Sequence, residues 1–456
     1  MIVRLLFMIS LSVSCALAKK PNILLLYADD LGYTDLSCQG SKYYETPHID
    51  RLAKEGTTFT NAYAGAANCA PSRACLMTGT YTPRHGIFTV GNSDRGKAID
   101  RKLIPVKNTT ILDPSFTTIA EALKPLGYRT CVAGKWHLTE DPTADGFDAN
   151  FGGTTWGHPK SYFSPYKNPY LKDGPKGEHL PERLGREVAN WIRANHRDPF
   201  FAYVPFYSVH TPIQATEELT QKYSKKEPDG KHNNPKYAAM IQSMDNAVGH
   251  LLETLDDLEL TQETLVIFTS DNGPHGSISA ADPLRGSKGM FYEGGIREPF
   301  LVRFPGRTPA GQKNESVISQ IDLFPTFVEL AGGKIPPDLD GVSLLPAFHG
   351  EKLRERPLFW HFPAYLQGYN KGSGSASKYF RTTPCGVIRE GNWKLIQYFE
   401  DHSLELYHLE SDLAETTNLA TKHPKKTEEL LEKLQDWQAR TQAPIPTKKN
   451  PQYQPR

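Results

Sequence analysis

Residues 22–30 read NILLLYADD, and residues 264–273 read TLVIFTSDNG. Each is an unbroken apolar run that stops at acidic or amide side chains. A strand with one wet face alternates apolar and polar residues. A continuous run has no wet face, so both are expected to be strands buried on both sides, as in a parallel sheet covered by helices. Residues 200–206 and 300–304 repeat the pattern. Between these runs the apolar spacing becomes helical over 117–126, Leu180–Asn195 and 237–258. Strands alternating with helices predict an α/β domain, a large mixed and mostly parallel sheet sandwiched by helices.

The texture changes near residue 345. Residues 358–362, 386–390, 393–399 and 404–409 are short, aromatic-rich segments separated by turns, which predict a small antiparallel sheet. An amphipathic helix is expected over about 425–439. The expected organisation is a leader over 1–18, a main domain over 19–345, a smaller C-terminal α+β domain over 346–442 and a loose Pro- and Lys-rich tail over 443–456. Residues 152–177, rich in Gly, Pro, Tyr and Lys, read as a long surface loop of the kind that lines binding sites.

The leader has a charged start at Arg4, an apolar stretch over 5–18 and a small-x-small sequence, Ala16-Leu17-Ala18. That is the pattern of cleavable export, to the periplasm or the outside, or to a lysosomal or extracellular destination in a eukaryotic cell. No later stretch is apolar enough for stable membrane insertion. The 456 residues carry 52 Lys+Arg against 51 Asp+Glu, a balance that offers no general footing for nucleic acid. Six cysteines are present, and loss of Cys15 with the leader leaves an odd number. Conversion of Cys69 would leave Cys38, Cys75, Cys131 and Cys385, which could pair in an exported chain.

The two acidic strand ends draw attention first. In open α/β sheets ligands bind beyond the carboxyl ends of strands. Asp29, Asp30, Asp271 and Asn272 together make a hard, all-oxygen donor set suited to Ca²⁺ or Mg²⁺. Either pair alone would also serve as a turn or helix cap.

The most specific signal is Cys69-Ala70-Pro71-Ser72-Arg73, followed by Thr78-Gly79. Here the chain resembles the type I sulfatases, whose signature is Cys-x-Pro-Ser-Arg, then a short helix and Thr-Gly. The resemblance extends through Gly134-Lys135-Trp136-His137, Val209-His210-Thr211-Pro212, Lys288, the segment 293–299 and a C-terminal block around Leu406-Tyr407-His408-Leu409. It implies an alkaline-phosphatase-like fold and hydrolysis of sulfate esters. It also implies one Ca²⁺ per chain, held by Asp29, Asp30, Asp271 and Asn272 with the residue at 69, and a formylglycine made from Cys69 by a maturation enzyme. By the same resemblance Arg73 and Lys135 would steady the hydrated aldehyde, and Asp271 would help deprotonate it. His210 and Lys288 would bind sulfate and assist the leaving oxygen. His137 would release sulfate from the enzyme.

The residue types suit that chemistry. Lys135, Lys288 and Arg73 supply fixed positive charge where a sulfate ester gains negative charge. His137 and His210 can move protons near neutral pH. A plain Ser or Cys nucleophile would end as a sulfate ester that resists hydrolysis, whereas an aldehyde hydrate has a second hydroxyl to expel it.

The layout resembles the branch with N-acetylgalactosamine-4-sulfatases and polysaccharide sulfatases, so a sulfated galactose- or galactosamine-type carbohydrate is the expected substrate. Trp156 and His158, and the pair Trp360-His361, are candidates for contact with a sugar ring. Two rival readings are a phosphodiesterase or phosphonate hydrolase of the same superfamily, and an inactive carbohydrate-binding homologue.

Overall fold

The computed structural model describes residues 19–369 and 377–455; the expected leader lies outside them. Eight strands form one sheet: β1 (Asn22–Ala28), β2 (Thr57–Tyr63), β3 (Arg129–Ala133), β4 (Ala149–Phe151), β5 (Phe200–Pro205), β6 (Thr264–Ser270), β7 (Phe300–Arg303) and β8 (Gln312–Ser319). Their order across the sheet is β4-β3-β5-β1-β6-β7-β2-β8. β7 runs against both β6 and β2, and the other pairings are parallel. The carboxyl ends of the parallel strands and the amino end of β7 therefore share one edge.

β1 shows why its sequence has no alternation. Leu24, Leu26 and Ala28 face one core, packed with residues of the helices Pro47–Glu55, Leu180–Asn195 and Pro235–Asp257. Ile23, Leu25 and Tyr27 face the other, with residues of Cys69–Thr78, Ile119–Leu123 and Leu323–Leu330. Every residue of β1 is buried. At about 25 cal/mol per Å² of apolar surface, such doubly covered strands are where burial stabilises the fold most.

A four-stranded antiparallel sheet follows, in the order β14-β13-β12-β9: β9 (Leu358–Phe362), β12 (Cys385–Glu390), β13 (Trp393–Tyr398) and β14 (Leu404–His408). The short strands β10 (Leu366–Gln367) and β11 (Phe380–Thr382) pair beside it. One face of the small sheet shares a core with Tyr63, Met290 and Ile296 of the large unit. The other packs on the helix Pro424–Arg440 through Leu430, Leu434 and Trp437.

One expectation is corrected here, and one open question is answered. The stretch after 443 is not loose: Ile104 N donates to Lys448 O (2.8 Å), Asn450 N to Lys102 O (2.9 Å) and Gln454 N to Ile99 O (2.9 Å). Backbone pairing with 99–104 outweighs the weak propensity of a Pro- and Lys-rich sequence. Nor do the cysteines pair: among the described residues Cys38, Cys69, Cys75, Cys131 and Cys385 are all free thiols. Cys75, Cys131 and Cys385 are buried in three different cores, and Cys38 is exposed. No helix of the described residues is long and apolar enough to cross a membrane.

Candidate active site

The two acidic pairs meet because their strands are neighbours in register. Ala28 pairs with Ser270, and Asp271 N donates to Ala28 O (3.1 Å). Asp29, Asp30, Asp271 and Asn272 are all fully buried. Asp30 adopts a left-handed backbone (φ 61°), uncommon for a residue with a side chain, and this turns the chain away from the strand at its end.

Each carboxylate has a cationic partner. Arg73 Nε and Nη2 donate to Asp271 Oδ2 (3.0 and 2.8 Å), and Nη1 donates to Lys135 O (2.6 Å). Lys135 Nζ donates to Asp29 Oδ2 (2.7 Å). Lys288 Nζ lies 2.7 Å from Asp30 Oδ1 and 3.5 Å from Cys69 Sγ. Asn272 Nδ2 donates to Asp30 Oδ1 (2.8 Å). His210 Nε2 stands 3.6 Å from Asp30 Oδ2, and its Nδ1 is 2.6 Å from Thr211 O.

Two oxygens are left over. Asp29 Oδ1 and Asn272 Oδ1 are buried and have no hydrogen-bond partner. Leaving such an atom unsatisfied costs about 1–3 kcal/mol. Burial outweighs Lys135 and raises the Asp29 carboxyl well above the ordinary range. Burial also raises Asp30, but Lys288 and then His210 outweigh it and hold that carboxyl low. Buried carboxylates, an amide oxygen and two orphaned oxygen atoms fit a hard divalent cation. Ligand atoms of Asp29, Asp30, Cys69 and His210 lie within 4.8 Å of one another, the one such cluster of metal-ligating groups among the described residues.

Cys69 opens the helix Cys69–Thr78, whose unpaired N–H groups and dipole favour negative charge near its first residue. Its thiol lines a cleft of about 250 Å³ with His137, His158, His210 and Lys288. His137 is also left-handed (φ 66°), and its Nδ1 has no hydrogen-bond partner. A Cβ on Gly157 would stand 2.9 Å from the His137 ring, so a larger residue there would press on the imidazole. Burial, then Lys135 and Arg73, depresses the His137 pKa well below the usual range. Burial and then Lys288 depress His210, against the pull of Asp30. Burial thus disfavours the protonated form of both imidazoles.

Asp29, Asp30, Cys69, Arg73, Lys135, His137, His210, Asp271, Asn272 and Lys288 thus converge on one site. The sugar-contact candidates divide. His158 reaches the cleft, its ring 6.3 Å from that of His210. Trp156 does not line it, and Lys160 Nζ sits 4.7 Å from its ring centroid. Trp360 and His361 are corrected outright: both are buried, with Trp360 Nε1 donating to Ala64 O (2.8 Å) and His361 Nε2 against Pro444 O (3.1 Å). Their aromatic surface joins the two units. Sequence reasoning missed Asn68, Arg95, His275 and Arg381 in the cleft wall. Asn68 adjoins the signature and His275 follows Asn272 by three residues, but nothing in local spacing marks Arg95 or Arg381, which only the tertiary fold brings to the cleft.

The family model described as "Sulfatase" matches residues 21–333, and that described as "N-sulphoglucosamine sulphohydrolase, C-terminal" matches residues 287–442. The chain belongs to the sulfatase family, and it is a sulfuric ester hydrolase. It is 34% identical to a sulfatase of Formosa agariphila, over 93% of this chain and 90% of that one. It is 32% identical to the human N-acetylgalactosamine-6-sulfatase, over 81% of this chain and 74% of that one. That relative is named for the 6-position, where the sequence had pointed to the 4-sulfatase branch. Among solved structures, Ps i-CgsB in complex with k-i-k-neocarrahexaose matches with a TM-score of 0.75 and 30% identity, over 92% of this chain and 93% of that one.

Proposed function

We propose that the protein removes sulfate from a sulfated galactose- or N-acetylgalactosamine-type carbohydrate, with a formylglycine at position 69 and one Ca²⁺. The single observation that carries this reading is the convergence of Cys69 with Lys288, Asp30 and His210 beside two unpartnered buried oxygens. Relatives named as N-acetylgalactosamine-6-sulfatases and a solved relative in complex with k-i-k-neocarrahexaose support the substrate class.

Asp29, Asp30, Asp271 and Asn272 would hold the cation, which would supply positive charge at the sulfate oxygens and at residue 69. The aldehyde hydrate would supply one hydroxyl to attack sulfur and a second to expel sulfate. Arg73 and Lys135 hold Asp271 and Asp29 in place and keep positive charge beside residue 69. Asp271 would take the proton of the attacking hydroxyl. Lys288 Nζ, already 3.5 Å from Cys69 Sγ, binds the transferring sulfate. His210 stands on the open side of the cleft, where the sugar oxygen departs; the incoming sulfate charge raises its basicity, so it can deliver a proton. Neutral His137 takes the proton of the second hydroxyl.

We infer export to the periplasm or the outside, or a lysosomal-type location in a eukaryote, from the leader pattern, and dependence on a formylglycine-generating enzyme from Cys69. The test is turnover by the matured protein of sulfated galactose and N-acetylgalactosamine saccharides against phosphate diesters. Preference for a phosphate diester over every sulfated sugar would overturn the proposal.

A further inference from the structure

Two guanidinium groups on the outer wall of the cleft have no part in the chemistry above. Arg381, in β11, is 8% exposed, and Arg95 is half-buried; both line the cleft with Cys69, His210 and Lys288. Arg381 is held rigidly. Its Nε donates to Gln367 O (2.9 Å) and its Nη1 to the Tyr369 hydroxyl (2.6 Å), and its Cζ lies 4.1 Å from the Tyr369 ring centroid. Tyr369 packs in turn on His275, with ring centroids 4.6 Å apart. Arg381 Nη1 also lies 3.4 Å from Lys288 O, which sets this group beside the sulfate-binding lysine. Arg95 makes one long hydrogen bond, from Nη1 to Val90 O (3.4 Å).

Among the described residues neither arginine has a carboxylate partner; their hydrogen bonds go to carbonyls and a tyrosine hydroxyl. The stretch 370–376 contains no acidic residue either. Burial, and then the charge of Arg381, pulls the Arg95 pKa below its ordinary value, as expected for two like charges facing each other without a counterion. Buried charges are normally paired. Two guanidiniums without a carboxylate partner, Arg381 held in place and Arg95 free to adjust, beside a sulfate pocket that already has its own lysine, form a ready seat for a second anion.

We propose that Arg95 and Arg381 form a second anion subsite, which selects a saccharide bearing another fixed anion, a carboxylate or a second sulfate, on the same ring as the scissile sulfate or the adjacent one. This rests on the reading of the cleft as a sulfated-carbohydrate site. The test is kcat and KM of the matured full-length enzyme on three disaccharides: one with a single sulfate, one with an added uronate carboxylate, and one with an added sulfate. Nitrophenyl sulfate reports the sulfatase chemistry separately.

The parent should favour a doubly charged disaccharide by about tenfold or more, the worth of a charged hydrogen bond. Arg381→Gln and Arg95→Gln should each erode that preference through KM, and Arg381→Lys should retain part of it. Preference for the uronate or for the second sulfate identifies the anion. Equal turnover of singly and doubly charged disaccharides by the parent overturns the subsite. So does an equal loss on all three in the variants. Arg95→Gln gives up only one long hydrogen bond, so the test stands even where Arg381→Gln fails to fold. Absence of hydrolysis of any sulfate ester, nitrophenyl sulfate included, would instead overturn the underlying reading, and this inference with it.

Discussion

Arg73 grips Asp271 through two donors on one oxygen, Nε at 3.0 Å and Nη2 at 2.8 Å from Oδ2. The other oxygen, Oδ1, is thereby left to accept from Asp30 N (3.2 Å) and to face the remaining acidic groups. Both side chains are fully buried, so the pair is an orienting device that cannot be broken cheaply.

Arg73→Lys should therefore behave unlike a conservative change. Lysine offers a point charge and cannot reproduce the fork that also reaches Lys135 O. Arg73→Ala should destabilise the fold by about 3–5 kcal/mol, the typical result of leaving a buried charge unpaired. Chemical denaturation of the variants checks this, and activity should fall in both, including in the lysine variant that still folds.

A divalent cation should offset the strain recorded by the orphaned oxygens of Asp29 and Asn272. Calcium at about 100 times its Kd should stabilise the protein by about 2.7 kcal/mol, read as a rise in Tm. Asn272→Ala and Asp29→Ala should lose both the rise and the bound metal, measured by metal analysis of purified protein. An undiminished calcium-induced rise in both variants would contradict the assignment.

The acid limb of the pH profile should lie low. In the proposed mechanism His137 acts as a base in its neutral form, and burial with Lys135 and Arg73 depresses its pKa. Activity that depends on it is then held down to a pH below the ordinary histidine value of about 6.5 and lost as pH falls through the depressed value. Stability follows the same sign: the unfolded chain takes up this proton first, so stability declines as pH drops below about 6.5. Rate and Tm measured between mildly acidic and neutral pH test both.

A buried triad locks the small unit onto the large one. Lys394 Nζ in β13 contacts Glu293 Oε1 (3.0 Å) and Glu415 Oε1 (2.9 Å). Burial, against Lys394, raises Glu415 to about 7. Burial opposes Lys394 and Arg297 at Glu293 as well, but there the cations win and hold it at about 2. The raised Glu415 favours folding at pH below its unfolded value, and that contribution is lost as pH rises through about 7. Lys394→Met should destabilise by about 3–5 kcal/mol, more at pH 8 than at mildly acidic pH. A loss independent of pH would exclude Glu415 as its origin.

The strands that sequence made legible were those buried on both faces. β1, β5 and β6 appear where their apolar runs stand, and the helix Leu180–Asn195 has the bounds its periodicity predicts. β2 and β8 are polar or only half-buried over much of their length, so pairing across the sheet decided them rather than any local apolar signal. β7 is as apolar as its neighbours, and nothing in a run of four buried residues announces that it is antiparallel. The residues proposed to hold the metal and sulfate were legible because strand ends and the signature are local. Arg95 and Arg381 were not, because only the tertiary fold brings them to the cleft; His275 lies three residues beyond Asn272, but a lone histidine carries no motif.

The central claim is that Cys69 becomes an aldehyde before it works. Buried at the head of its helix, and 3.5 Å from Lys288, it would as a thiolate end each cycle as a sulfated enzyme. Peptide mass spectrometry of the active protein, expressed together with a formylglycine-generating enzyme, tests this most directly. The expected peptide has the Cys69 thiol replaced by a carbonyl oxygen, in a fraction that tracks the specific activity. A fully active preparation that carries only unmodified thiol at Cys69 would contradict the account.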